Sequence, residues 1–151
     1  MWAHLRMIHI SQVTQATPEL VEVFEKLIPQ LSQRKPPSLD ELTSLIDSRS
    51  IVLTARFPDL SSPVVGSGTL AVFPVPTGLR GHIEDVVVDQ SARGNGVGQA
   101  IVLELLAKAR ELGIEGVSLT CNPTREAANK MYQKMGFRRR ETNVYWYYLG
   151  Q

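Results

Sequence analysis

The chain has 151 residues, 43% of them hydrophobic, which supports one compact domain with its own core and is too short for two. Its 16 Lys+Arg against 15 Asp+Glu leave a net charge of +1, so there is no basic field of the kind that binds nucleic acid. A single cysteine, Cys121, excludes an internal disulfide, and no apolar run reaches the ~20 residues that span a bilayer.

These counts lead to the expectation of one domain over 1–151 in a reducing, cytoplasmic compartment, with no membrane or nucleic-acid partner. The opening stretch MWAHLRMIHIS has no apolar signal-peptide segment. Residues His4 to Ile10 alternate and predict a first strand. Thr17-Pro18-Glu19 supplies a cap, a proline for the first helical position and an acid for the first turn. Leu20, Phe24, Leu27 and Leu31 then fall on one helical face, and Ser32 to Pro37 breaks the helix. Ser38 and Glu41 have capping-box spacing and open a second helix with Leu39, Leu42 and Ile46 inward.

The β-branched run Ser50 to Phe57 and the run Val64 to Phe73 predict two strands in a hairpin. Pro74 to Gly81 is a turn-rich connection, and Ile83 to Asp89 is a mostly apolar strand entered by two adjacent acids. A helix follows from about Gly96 to Leu112, with Val97, Ile101, Leu105 and Leu112 on one stripe and Gly113 as its end. Ile114 to Cys121 alternates as a strand. Asn122-Pro123 opens a helix that runs to about Met135, and Val144 to Leu149 predicts a last strand. The order β-α-α-β-β-β-α-β-α-β describes an α/β or α+β domain with a mixed sheet.

The segment richest in chemistry is Gln90 to Gln99, QSARGNGVGQ, between an apolar strand and a long helix. Glycines there let a ligand approach the backbone, and the first N–H groups of the helix face the same place. That combination suits an anion such as phosphate, and Arg93 adds a cation. No Gly-Lys-Ser/Thr follows, so this is not a Walker loop. The G-x-G-x-G spacing is not the dinucleotide fingerprint either. The second element is Asn122 to Phe137, where Tyr132 shares a helical face with Ala128 and Met135.

Together these segments resemble the GNAT superfamily of acyl-CoA N-acetyltransferases. Arg93, Gly96 and Gly98 meet its R/Q-x-x-G-x-G/A motif, and Ala128, Tyr132, Gly136 and Phe137 are similar to its C-terminal motif. The resemblance implies a GNAT fold: a central mixed, mostly antiparallel sheet with a splayed parallel pair, flanked by about four helices. It implies acetyl-CoA as co-substrate and no metal. The strand ending Val86-Val87-Val88 would splay from the strand at Ile114 to Cys121, and the backbone of Val86 and Val88 would bond the pantetheine arm. The amides of Arg93, Gly94, Asn95, Gly96, Val97, Gly98 and Gln99 would cradle the pyrophosphate, and Tyr132 would protonate the leaving thiolate. Many relatives carry an Asn seven residues before the tyrosine. Here that position is Arg125, which leaves either Asn122 or Asn129 as the pantetheine partner.

The family reaction is direct attack of a neutral amine on the thioester. An alkylamine is mostly protonated near neutral pH, so a carboxylate that accepts its proton is needed. Glu84 and Asp85 are the candidates. Strand alternation would turn them to opposite faces, with Glu84 on the acceptor side. A strand N–H at Val87 or Val88 would stabilise the thioester oxygen.

Other residues take plainer roles. His4, His9 and His82 have no metal spacing and His82 reads as a rim residue, Cys121 as a buried small hydrophobe, and Arg138 to Arg140 as solvated surface. Gly81 to Val88, GHIEDVVV, is similar to the corresponding strand of glucosamine-6-phosphate N-acetyltransferases. Acceptor loops are expected at Ser32 to Ser38, Pro74 to Gly81 and Arg138 to Asn143, suited to a small polar or anionic amine. The aromatic terminus and the habit of the family point to a homodimer. Two other function classes fit the cradle alone, a catalytically silent acyl-CoA sensor and an unrelated phosphate-binding module. Glu84 and Tyr132 together favour the enzyme.

Overall fold

The computed structural model describes residues 7–150, which form two compact units, one ending at Leu119 and one beginning at Thr120. The first unit is built on a five-stranded sheet in sequence order: β1 His9–Gln12, β2 Ile51–Arg56, β3 Val64–Val75, β4 Gly78–Val88 and β5 Val117–Ser118. All neighbours are antiparallel except β4 and β5, which are parallel. The mixed, mostly antiparallel sheet with one parallel pair is the predicted fold class. Helices α1 Pro18–Leu27, α2 Leu39–Asp47 and α3 Val97–Glu111 complete the unit.

Local chemistry sets the helix starts. Thr17 Oγ1 accepts from the Leu20 N–H at 3.2 Å with Pro18 behind it. Ser38 and Glu41 close a reciprocal box, with Ser38 Oγ taking the Glu41 N–H at 3.2 Å and the Glu41 carboxylate taking the Ser38 N–H at 2.7 Å. Those bonds hold the Glu41 carboxyl below the usual carboxylate range.

The two faces of the sheet carry different helices. A Cβ on Gly68 would come within 2.6 Å of Ile101 Cγ2, and one on Gly66 within 3.0 Å of Ile101 Cδ1, so α3 covers this face at backbone distance. Val52, paired with Thr69, points the other way into a cluster with Leu20, Phe24, Ile28 and Leu42. That face therefore carries α1 and α2.

Several expectations are corrected. The first strand begins at His9, and the part predicted over His4 to Arg6 lies outside the described residues. Helix α1 stops at Leu27 and passes into a 3-10 turn, because Pro29 has no N–H to continue the ladder; Leu31 is therefore not helical. Leu39 is the first residue of α2 and exposed, and Leu112 caps α3 and is exposed. The connection Pro74 to Gly81 is mostly strand. β3 runs to Val75, β4 starts at Gly78 with φ +128°, and Val75 pairs with Gly78 across a two-residue turn. The strand predicted over Ile114 to Cys121 shrinks to Val117–Ser118, since the buried Ile114 is still tied to α3 through its N–H to the Ala109 carbonyl.

The second unit contains α4, Glu126–Lys134, which ends before Gly136 at φ +98°. Asn122 does not cap it. Its Oδ1 accepts from the Thr124 N–H at 2.9 Å in a turn, and the helix begins after Arg125. Cys121 is half-buried and not a core residue. The strand predicted over Val144 to Leu149 does not form, and all six side chains are exposed. β-propensity there meets no sheet edge among the described residues, and a lone extended strand has nothing to pair its N–H and C=O groups.

Candidate functional site

β4 is broken by a bulge. Thr69 pairs with Glu84 and Ser67 with Val87, so three steps on β4 match two on β3. Asp85 absorbs the extra residue at φ +52°, a left-handed conformation that Asp tolerates better than most. The regular alternation expected at Glu84 and Asp85 is thereby interrupted, and both carboxylates are exposed. Beyond the bulge Val87 is buried and Val86 lies against Gly68. The ladder from β4 to β5 ends at His82 and Ser118, so among the described residues the backbone from Ile83 to Val88 carries no ladder partner on its outer side.

The loop after β4 is held from beneath. Asp89 is buried, accepts from Gln30 Nε2 at 2.7 Å, from the Ser91 hydroxyl and from the Ser91 N–H at 3.3 Å, and has Lys26 Nζ at 3.6 Å. The Ser91 hydroxyl first, then Gln30, hold its carboxyl down to about 2. The Gln30 side-chain oxygen Oε1 accepts from the Gln90 N–H at 2.9 Å.

Above that base the backbone is open. Gly94 and Gly96 have φ of +79° and +81°, and a Cβ on Gly94 would meet nothing within 4 Å. The first helical bond is Ala100 N–H to the Gly96 carbonyl at 3.0 Å, so the N–H groups of Val97, Gly98 and Gln99 have no partner within α3. Unfilled left-handed glycines beside free helical N–H groups fit a pyrophosphate. Asn95 closes the loop through Nδ2 on the Ala92 and Arg93 carbonyls. Val97 is buried, so it offers its backbone alone. Arg93 Nε donates to the Val88 carbonyl at 3.0 Å and Nη2 reaches Gln30 Oε1 at 3.5 Å, which fixes the guanidinium at the end of β4.

In the second unit the two asparagines are engaged locally. Asn122 Oδ1 holds Thr124, and Asn129 Nδ2 donates to the Asn122 and Arg125 carbonyls, both at 2.9 Å. Tyr132 meets Phe137 edge to face at 5.6 Å between ring centroids. Burial pushes its phenol above the ordinary value, with the Cys121 sulfur adding to the shift and Arg125 opposing it. The phenol therefore keeps its proton at neutral pH.

Sequence reasoning missed Gln30 and Asp89. Their contact spans 59 positions, and Asp89 read only as the end of a strand. His82, expected at the rim, is partly exposed, with Nε2 3.1 Å from Glu84 Oε1 and Nδ1 2.8 Å from Ser118 Oγ.

The Acetyltransferase (GNAT) family model matches residues 20–137. A glucosamine 6-phosphate N-acetyltransferase from Trypanosoma brucei brucei is 37% identical over 125 residues, which cover 79% of this chain and 83% of that one. A crystal structure of a Trypanosoma brucei acetyltransferase matches with a TM-score of 0.73 at 28% identity, over 94% of this chain and 100% of that one. The glucosamine-6-phosphate N-acetyltransferase of Arabidopsis thaliana shares the fold, with a TM-score of 0.75 at 20% identity over 94% of this chain and 99% of that one. The chain belongs to the GNAT acetyltransferase family. It is an acetyl-CoA-dependent N-acetyltransferase.

Proposed function

We propose that the chain acetylates the amine of glucosamine 6-phosphate by direct attack in a ternary complex. The observation that carries the acceptor is the 37% identity over 125 residues to an enzyme of that name. The wording of Gly81 to Val88 supports it. Bound acetyl-CoA supplies an activated acetyl thioester. The amides from Arg93 to Gln99 take its pyrophosphate, and the β4 backbone at Val86, Val87 and Val88 lines its pantetheine arm. On this reading one of Asn122 and Asn129 would bond the arm. Glu84 accepts the proton of the acceptor ammonium, Asp85 shapes the bulge that presents it, and Tyr132 gives a proton to the departing thiolate.

Arg34 and Lys35 lie in the segment Ser32 to Ser38 and Arg138 to Arg140 in the segment Arg138 to Asn143, both expected to serve the acceptor, and their charge suits an anionic sugar. A cytoplasmic location, one functional domain over 1–151 and a homodimer belong to the same reading. The single cysteine supports the first and the exposed aromatic terminus the last.

The test is thiol release with acetyl-CoA and glucosamine 6-phosphate, both varied. Intersecting double-reciprocal lines are expected. No thiol, or parallel lines, contradicts the reading.

A further inference from the structure

Gln30 closes the 3-10 turn Ile28–Gln30 that follows α1. A side-chain amide has two N–H groups and an oxygen with two lone pairs, and Gln30 uses all four. Nε2 donates to Asp89 Oδ1 at 2.7 Å and to the Lys26 carbonyl at 3.1 Å. Oε1 accepts from the Gln90 N–H at 2.9 Å and, more loosely, from Arg93 Nη2 at 3.5 Å. This pattern fixes the amide one way round. Turned over, it would set its oxygen against the Asp89 carboxylate and its N–H groups against those of Gln90 and Arg93.

Each contact holds a different part of the loop's base. Asp89 is buried, and its second oxygen takes the Ser91 N–H at 3.3 Å and the Ser91 hydroxyl. Gln90 opens the 3-10 turn Gln90–Ala92, and Arg93 ends it with Nε on the Val88 carbonyl at 3.0 Å. The left-handed Gly94 and Gly96 come next. Glycine adopts many conformations at little cost, so it does not hold a loop in one shape unaided. The shape comes from what lies beneath, and Gln30 lies beneath on an element outside the glycine motif.

We propose that Gln30 is a positioning residue for co-substrate binding. Through Asp89, Gln90 and Arg93 it holds the glycine loop in the form that receives the pyrophosphate of acetyl-CoA. The proposal rests on that loop being the pyrophosphate site. Gln30 turns both polar ends of its amide to the protein and acts through the loop.

The chemistry of the pair predicts how substitutions behave. Alanine leaves the buried Asp89 carboxylate without one donor and the Gln90 N–H without its acceptor. Glutamate keeps the acceptor for Gln90 and Arg93 but sets a second carboxylate against Asp89, where like charges repel. Exchanging the two groups, Gln30→Glu together with Asp89→Asn, restores one amide and one carboxylate. The new amide then donates to the new carboxylate and its oxygen faces Ser91, while the other carboxylate oxygen takes Gln90 and Arg93.

The experiment is calorimetric titration of the full chain with acetyl-CoA, beside thermal unfolding and kinetics with glucosamine 6-phosphate. Gln30→Ala should raise the Kd for acetyl-CoA roughly tenfold to a hundredfold, the scale of one lost hydrogen bond to a charged group. The KM for acetyl-CoA should rise with it while kcat at saturation stays within about twofold, the mark of lost binding alone. Gln30→Glu should also bind weakly, and adding Asp89→Asn should recover most of the affinity. That recovery decides the matter if Gln30→Ala does not fold. A lowered Tm with unchanged Kd in Gln30→Ala, beside weakened binding in Gly96→Ala, overturns the proposal and leaves Gln30 a support of the fold. A double variant that binds no tighter than Gln30→Glu overturns it too. Parent affinity in Gly96→Ala overturns the loop as the pyrophosphate site, and the proposal with it.

Discussion

Gln30 Nε2 donates to Asp89 Oδ1 at 2.7 Å, and Gln30 Oε1 accepts the Gln90 N–H at 2.9 Å. A single amide on the turn after α1 thus joins the end of β4 to the head of the glycine loop. Lys26, one helical turn earlier, adds its ammonium at 3.6 Å from the same carboxylate.

That linkage has a pH signature. The Asp89 carboxyl is lowered from 3.8 to about 2 in the folded chain, so its stabilisation is complete above about pH 4 and is lost as the pH falls toward 2. Asp89→Asn should cost about 1–3 kcal/mol at pH 7, the cost of a broken buried hydrogen-bond set. Urea unfolding at several pH values should show the gap between variant and parent narrowing below pH 4. A gap that stays constant down to pH 2 contradicts the assignment.

Gly68 lies opposite the bulge and under Ile101. A methyl there meets Ile101 Cγ2 at 2.6 Å, a branched atom with little room to turn aside. Gly68→Ala should lower stability by about 1–3 kcal/mol, as overpacking does. It should also raise the Kd for acetyl-CoA, because α3 and Val86 are the groups displaced. Thermal unfolding and calorimetric titration read the two effects. A variant as stable as the parent would mean that the sheet and α3 separate freely.

Gly96 is the N-cap of α3 at φ +81°. Alanine in that conformation costs about 1–2 kcal/mol. Gly96→Ala should therefore weaken acetyl-CoA binding more than it weakens the fold, since relaxation turns the free N–H groups of Val97 and Gly98 aside. ATP and NAD serve as calorimetric controls. Equal affinity for acetyl-CoA in parent and variant would place the pyrophosphate elsewhere.

Tyr132 should titrate above 10.0 in a spectrophotometric titration, read as the difference between parent and Tyr132→Phe. Cys121→Ala removes one contribution, so the phenol should move back down while staying above the free value. If Tyr132 is the acid, Tyr132→Phe lowers kcat and leaves the KM for acetyl-CoA unchanged. Normal kcat in Tyr132→Phe shows that the thiolate leaves unassisted.

Much of this was legible in the residues. Thr17-Pro18 and the Ser38–Glu41 box are local, three-residue signals, and both formed as read. Arg93 and Gly96 stood between strand and helix, and Gly98 in the first turn of α3. The bulge was hidden because Ile83 to Val88 shows no glycine or proline to mark it; Asp85 bends with its own side chain intact. The Gln30–Asp89 and His82–Ser118 contacts were hidden because register between distant segments decides them. Val144 to Leu149 misled because strand propensity describes a fit to a neighbouring strand, which the segment's own residues do not specify.

The most direct test is kcat/KM for glucosamine 6-phosphate beside glucosamine, an aminoglycoside and free amino acids, with acetyl-CoA saturating and thiol release as readout. The account predicts that glucosamine 6-phosphate leads by at least tenfold over glucosamine, about 1.4 kcal/mol of recognition for the phosphate. Equal rates for the two sugars, or a higher kcat/KM for any other acceptor, would contradict it.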